Sequence, residues 1–262
     1  MTSLVVGSTS QLAHYFPDDY EKISSRDINF EAFKDKFYDR IYFCFAEQRT
    51  YLEEKDPFIF YDINADYTVD LIEFFSKKCN RLIVYGTAEL WNNIEGPISI
   101  KDRYNYNQTT YIRSKEDMCN IINRLRADYN TAFQNIIMLH PFNFNSIYRK
   151  PGFLFGKIFD SIKNKKKIEI GDTYFYRDLL HPKYITERSI VASEDEIIGS
   201  GRLTYVNDFI RDLYKSAYMD YDDYVIENYD YNLKNKRKIN YAENRKIRYN
   251  DLLKDTLYDL GI

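Results

Sequence analysis

Apolar residues along this chain gather into short runs, and the stretches between them carry a helical period. Residues 3–6, Lys22-Ile23-Ser24-Ser25, Arg40 to Ala46, Arg81-Leu82-Ile83-Val84-Tyr85 and Gln134 to Leu139 form the series of runs. Runs this short, bounded by polar turns, suit strands buried on both faces. Three helices are predicted between them. One covers about Ser10 to Phe16, and one runs from roughly Pro57 to Asn80 through Ile63, Tyr67, Leu71, Phe74 and Phe75. The third begins at Thr109-Thr110-Tyr111, after a polar loop rich in Asn and Tyr. Strands alternating with helices predict an α/β fold, a doubly wound parallel sheet with right-handed crossovers. After His140 the pattern is less regular, with a helix from Pro151 to the lysines at 165–167 and a short strand from Ile168 to Asp172. The Lys run reads as a solvated turn.

The third helix carries the first candidate chemistry. Tyr111, Lys115, Met118, Ile122 and Leu125 share one face, so an ammonium sits in the stripe that should point inward. A lysine is rarely buried without a partner, because desolvating its charge is unfavourable. A phenol one turn away supplies a reason, since a nearby cation favours the phenolate. Thr87, just past the strand that ends at Tyr85, would offer a hydroxyl to the same substrate oxygen. Thr87, Tyr111 and Lys115 therefore suit proton transfer in carbonyl–alcohol interconversion.

A second signal lies at the first strand. Gly7, Ser10 and Ala13 hold the three places of a G-x-x-G-x-x-G turn, with small residues at two of them. In dinucleotide-binding folds those places serve the tight turn, the approach to the pyrophosphate and helix–strand packing. Ser24, Ser25 and Arg26 close the second strand; an Arg there suits a 2′-phosphate, whereas the adjacent Asp27 suits free ribose hydroxyls.

Together these motifs resemble the extended short-chain dehydrogenase/reductase family that acts on nucleotide sugars. Tyr61-Asp62-Ile63-Asn64-Ala65 looks like its Asn-bearing helix segment. Val84 to Trp91 looks like its strand-four element, and Tyr111-Ile112-Arg113-Ser114-Lys115 matches Y-x-x-S-K. His140-Pro141-Phe142-Asn143 is similar to its R-P-x-N strand end, Tyr176 to His181 to its R-D-x-x-H element, and Ile197 to Gly201 to its N-x-G-x-G strand end, with a helix from Leu203 to Met219 after it. The resemblance implies a Rossmann-like sheet with a small, reduced C-terminal substrate lobe. The dinucleotide domain would span 1–145, with 172–200 returning to it, and the lobe 146–171 and 201–262.

The resemblance also implies residue roles. Gly7, Thr9, Ser10, Gln11, Leu12, Ser25, Arg26, Asn29, Phe45, Ala46, Asn64, His140 and Phe142, with Tyr111 and Lys115, would hold NADP, or NAD. Thr87, Ala88, Glu89, Asn143 and Arg177 would meet a nucleotide sugar, and Thr87, Tyr111, Lys115 and Glu89 would act in catalysis. Dehydratases of the family carry an acid and a base after the Thr. Here Ala88 replaces the acid, which points to a reductase of a nucleotide-linked 4-keto-6-deoxy sugar, in surface-polysaccharide sugar biosynthesis. Glu89 keeps a dehydratase or epimerase with recycled cofactor open, and the degraded Gly positions keep open a weakened, binding-only relative.

Composition narrows the setting. A hydrophobic share of 44% with 29% charged residues fits a globular chain, and a net charge of −3 gives no reason for a nucleic-acid or membrane partner. No apolar run approaches the ~20 residues of a membrane span. Cys44, Cys79 and Cys119 lack metal-like spacing, and Cys44 and Cys119 lie in apolar surroundings that suit reduced, packed thiols. With no secretory-type leader preceding the first strand, the expectation is a cytoplasmic protein without a metal. The resemblance adds a homodimer formed through the Tyr111 helix and its neighbour.

Overall fold

The computed structural model describes residues 2–26, 28–103, 109–127, 133–228, 239–243 and 246–262. Met1, Asp27 and residues 104–108, 128–132, 229–238 and 244–245 lie outside them. The chain packs as two compact units, one of residues 1–91, 103–141 and 186–197, the other of 92–102, 142–185 and 198–262.

Strands β1 (Leu4–Val6), β2 (Glu21–Ile23), β3 (Tyr38–Phe43) and β4 (Cys79–Tyr85) begin the first unit. After β5 (Gly96–Ile98), which pairs elsewhere, come β6 (Ile136–Pro141), β7 (Ile168–Ile170), β8 (Tyr176–Asp178) and β9 (Glu196–Ile198). A six-stranded sheet runs in the order β2-β1-β3-β4-β6-β9, parallel throughout from β2 to β6. Leu4, Val5, Val6, Ile41, Leu82 and Ile83 are wholly buried, as runs covered on both faces require. Chain order reverses on either side of β1, between β2 and β3. In an open α/β sheet such a switch point, at the carboxyl ends of the strands, is where ligands bind.

Helical segments link these strands. Between β3 and β4 lie α1 (Phe58–Tyr61), a wide π turn over Asp62–Asp66, and α2 (Tyr67–Phe75). The predicted single helix to Asn80 is thus interrupted and ends early, because Cys79 and Asn80 open β4. The long helix α3 (Thr110–Ala127) precedes β6 and buries Lys115, Met118 and Ile122, the stripe expected of it.

The expected helix from Ser10 to Phe16 is absent. In its place stands one 3₁₀ turn, Leu12–Tyr15. Pro17 sets where it ends: the residue before a proline is driven out of the helical region, and Phe16 is extended at φ −78°, ψ 151°.

The second unit has its own core. Helices α4 (Leu154–Asn164), α5 (Pro182–Val191) and α6 (Val206–Ser216) enter it, α5 running on into the first unit. Ile158, Phe159, Val206, Phe209, Ile210 and Leu213 fill its centre. The predicted helix from Leu203 starts three residues late, since β10 (Leu203–Tyr205) pairs antiparallel with β8. After α7 (Tyr221–Tyr224) come β11 (Val225–Glu227), parallel to β7, and β12 (Asn240–Ala242), parallel to β5. The closing helix α8 (Tyr249–Leu260) is fastened by His181 Nε2 to Asp259 at 2.9 Å and Tyr184 Oη to Asp255 at 2.6 Å.

The boundary between units departs from the one read in the sequence. Residues 92–102, 142–145, 172–185 and 198–200 pack with the second unit, not the first. Cys44, Cys79 and Cys119 are buried free thiols, and burial pushes those of Cys79 and Cys119 up to about 12.

Candidate functional site

The turn after β1 is built on Gly7. Its φ is +102°, and a Cβ there would lie 3.0 Å from the Phe45 amide nitrogen and 3.1 Å from the Cys44 carbonyl carbon. Only glycine accepts both the dihedral and the close passage of the β3 exit. Within the turn, the Gly7 and Ser8 amides donate to the Ile23 carbonyl at 2.9 and 2.8 Å. The Ser10 amide donates to the Gly7 carbonyl, and the Ala13 amide to Ser10 Oγ. Gln11 contributes a buried side-chain oxygen with no hydrogen-bond partner. The helix here is reduced to one turn, too short for a substantial helix dipole.

At the end of β2, the Arg26 amide donates to Ser24 Oγ at 3.0 Å and its side chain is exposed. The Tyr67 hydroxyl donates to the Ser25 carbonyl. Asn29 Oδ1 accepts the Glu31 amide at 3.2 Å, capping a 3₁₀ turn, so that oxygen is already engaged. Phe45 and Ala46, half-buried, leave β3 beside Gly7, with the Phe45 ring 5.8 Å from that of Tyr67.

Asn64, expected at the cofactor, lies inside, against the β3 exit. It is wholly buried, its Oδ1 accepts the Glu47 amide at 2.8 Å, and its Nδ2 donates to the Glu47 carbonyl at 3.0 Å and to Ser114 Oγ at 3.1 Å. With both donors used inside the protein, it braces the β3 exit against α3. Ser114 Oγ in turn donates to the Tyr111 carbonyl at 2.7 Å.

The end of β4 holds the candidate catalytic groups. Lys115 is 3% exposed, and its Nζ donates to the Tyr85 carbonyl at 2.8 Å. Burial lowers its pKa to about 8. Tyr111, one turn earlier and half-buried, meets the Phe60 ring edge-on at 6.4 Å. Thr87 is 6% exposed, and its Oγ1 accepts the Glu89 amide at 3.3 Å. Ala88 is buried, while Glu89 is half-exposed in the turn that follows. Since β1, β3 and β4 are neighbours, roughly 4.8 Å apart, the Gly7 turn, the Phe45 exit and the Lys115 anchor all lie on one carboxyl edge.

His140, expected at the cofactor, is wholly buried. Its ring fills the space over Gly86, where a Cβ would come 2.3 Å from Nδ1, and meets Trp91 at 5.1 Å and 88°. Burial lowers its pKa to about 4, so it is a neutral packing residue. Three predicted residues belong to the second unit. Phe142 is 6% exposed with its amide on the Ile198 carbonyl, Asn143 is exposed, and the Arg177 guanidinium lies 4.5 Å from the centre of the Phe175 ring.

Residues that sequence reading missed include Glu47, Ser114 as a strut, and Glu53. Glu47, 5% exposed, accepts Arg49 Nε at 2.9 Å, an ion pair two residues apart that could have been suspected. Glu53 gave no local signal.

The parallel sheet, with its glycine turn at the carboxyl edge, is Rossmann-like. The chain belongs to the NAD dependent epimerase/dehydratase family, whose sequence model matches residues 18–195. Among solved structures it is similar to RMD from Pseudomonas aeruginosa complexed with NADPH, at TM-score 0.79 and 14% identity over 99% of both chains. A UDP-N-acetylglucosamine 4-epimerase from Methanobrevibacter ruminantium M1 matches at TM-score 0.79 and 13% identity, over 99% of this chain and 98% of that one. The dTDP-glucose 4,6-dehydratase DesIV from Streptomyces venezuelae matches at 0.78 and 16%, over 100% and 97%. No curated protein sequence matches the chain.

Proposed function

We propose that this chain is an NADPH-dependent reductase that delivers hydride to C4 of a nucleotide-linked 4-keto-6-deoxy sugar, in surface-polysaccharide sugar biosynthesis. The observation that carries the choice is Ala88. Between Thr87 and Glu89 stands a buried methyl group, which cannot protonate a leaving hydroxyl as an elimination requires. Glu89 favours the second reading, a dehydratase or epimerase, because a carboxylate remains there to remove a proton from carbon.

Several features fit a nicotinamide cofactor. The amides of Thr9, Gln11 and Leu12 lie in the turn after Gly7 and would face its phosphates, and the partnerless Gln11 oxygen would accept from a ligand hydroxyl. Ser24, Ser25 and the exposed Arg26 suit a 2′-phosphate, which supports NADP, as does the NADPH complex of RMD. When bound, the nicotinamide supplies hydride. Tyr111 gives its proton to the oxygen formed at C4, Thr87 donates a hydrogen bond to that oxygen, and Lys115 holds the cofactor ribose and favours the phenolate left behind. Asn143 and Arg177 would hold the sugar and its diphosphate. The buried thiols accord with a reducing cytoplasm, and Phe58, 72% exposed on α1, suits a homodimer through α1–α3.

The purified protein, given NADPH and such a 4-keto sugar nucleotide, is expected to consume one NADPH per sugar, followed by absorbance. Water lost from a sugar nucleotide with cofactor held but not consumed would establish the second reading. Neither binding nor turnover would leave a non-catalytic relative.

A further inference from the structure

We infer that Glu53 is a positioning residue for Tyr111, clamping the first turn of α3 from the loop that follows β3. This deepens the reductase reading and rests on it for the role of Tyr111.

Helix α3 begins at Thr110, so Tyr111 lies in its first turn, where backbone N–H groups lack intrahelical partners and fray unless capped. The cap here comes from far away in sequence. Glu53 Oε1 accepts both the Thr110 amide and Thr110 Oγ1, each at 2.5 Å. The nearer hydroxyl, Thr109 Oγ1, reaches the Ile112 amide only at 3.4 Å. A carboxylate at a helix N-terminus also meets the positive end of the helix dipole. Further along, Ser114 is tied through Asn64 to Glu47, also in the β3 exit. Both tethers fix α3 to the strand exit that passes Gly7. Glu53 acts on the residue adjacent to Tyr111, and Asn64 on the turn above it.

Without the clamp the phenol loses its fixed height over the sheet edge. Displacement of a reacting group by about 1 Å lowers rates on the order of a hundredfold. Lys115 lies a further turn along α3 and has its own anchor on the Tyr85 carbonyl, and most of the other groups that would hold the cofactor lie on other segments, so binding should survive.

The test compares Glu53→Ala and Glu53→Gln in the full chain. Glu53→Ala is expected to lower kcat about 10- to 100-fold, with the Kd for NADPH within about twofold of the parent. Glu53→Gln keeps an acceptor oxygen and is expected to restore kcat to within about threefold. Hydrogen exchange of peptides covering 110–118 gives a readout independent of turnover: faster in Glu53→Ala, near the parent rate in Glu53→Gln. A Glu53→Ala kcat within twofold of the parent, a Gln variant as impaired as Ala, or NADPH affinity falling in step with kcat would overturn the inference. If the parent itself reduces no keto sugar, the reductase reading fails, and unchanged exchange in Glu53→Ala would then still sink the clamp separately.

Discussion

Tyr111→Phe is expected to lower turnover about a thousandfold, or roughly 4 kcal/mol in the barrier, the scale of losing a positioned general acid. The ring survives the substitution, so its edge contact with Phe60 is kept. Stability should change by no more than about 1 kcal/mol, the worth of one hydroxyl hydrogen bond, and NADPH affinity should hold. Steady-state kinetics with urea denaturation and cofactor titration check all three. Turnover within tenfold of the parent would remove the phenol from proton transfer.

Lys115→Met is expected to move activity and stability in opposite directions. Burial depresses the folded-state pKa of Lys115 to about 8 from an ordinary 10.5. The sign follows from which state prefers the proton. Below about pH 8 the native state carries a desolvated charge that the unfolded chain carries in water, so the full penalty applies. Between pH 8 and 10.5 the native lysine is already neutral and the penalty fades. A gap of this size corresponds to about 3 kcal/mol, offset by about 1 kcal/mol for the Tyr85 carbonyl left without its donor. Methionine fills a similar volume without charge. The variant should therefore be about 2 kcal/mol more stable than the parent at pH 7 without ligand, and the advantage should vanish at about pH 10 and turn into a small deficit above it. Its turnover should fall at least a hundredfold, since both ribose contact and phenolate support are lost. Equal stability at pH 7 would mean that the ammonium is better solvated than its burial implies.

Part of the candidate site was legible in the sequence for local reasons. Lys115 stood out because it broke the apolar stripe of α3, and the strands of the sheet stood out as short apolar runs covered on both faces. Gly7 was readable for the same local reason, a turn that tolerates no side chain. Features set by distant packing were not readable. Asn64 and His140 both sit in motifs that resemble cofactor contacts, yet burial turns one into a brace and the other into filling over Gly86. The first crossover is shorter than the helical period from Ser10 implies, and Pro17 ends it at Phe16. Glu53 lies 57 residues from the helix it caps, a pairing that only the fold creates.

Transfer of label tests the central claim most directly. NADPH carrying deuterium at the transferable position of the nicotinamide is incubated with a nucleotide-linked 4-keto-6-deoxy sugar, and the product is read by NMR. One deuterium at C4 of the sugar per NADPH consumed, abolished in Tyr111→Phe, is the expected result. Product without label at C4, or label transferred equally well by the Tyr111→Phe protein, would contradict it.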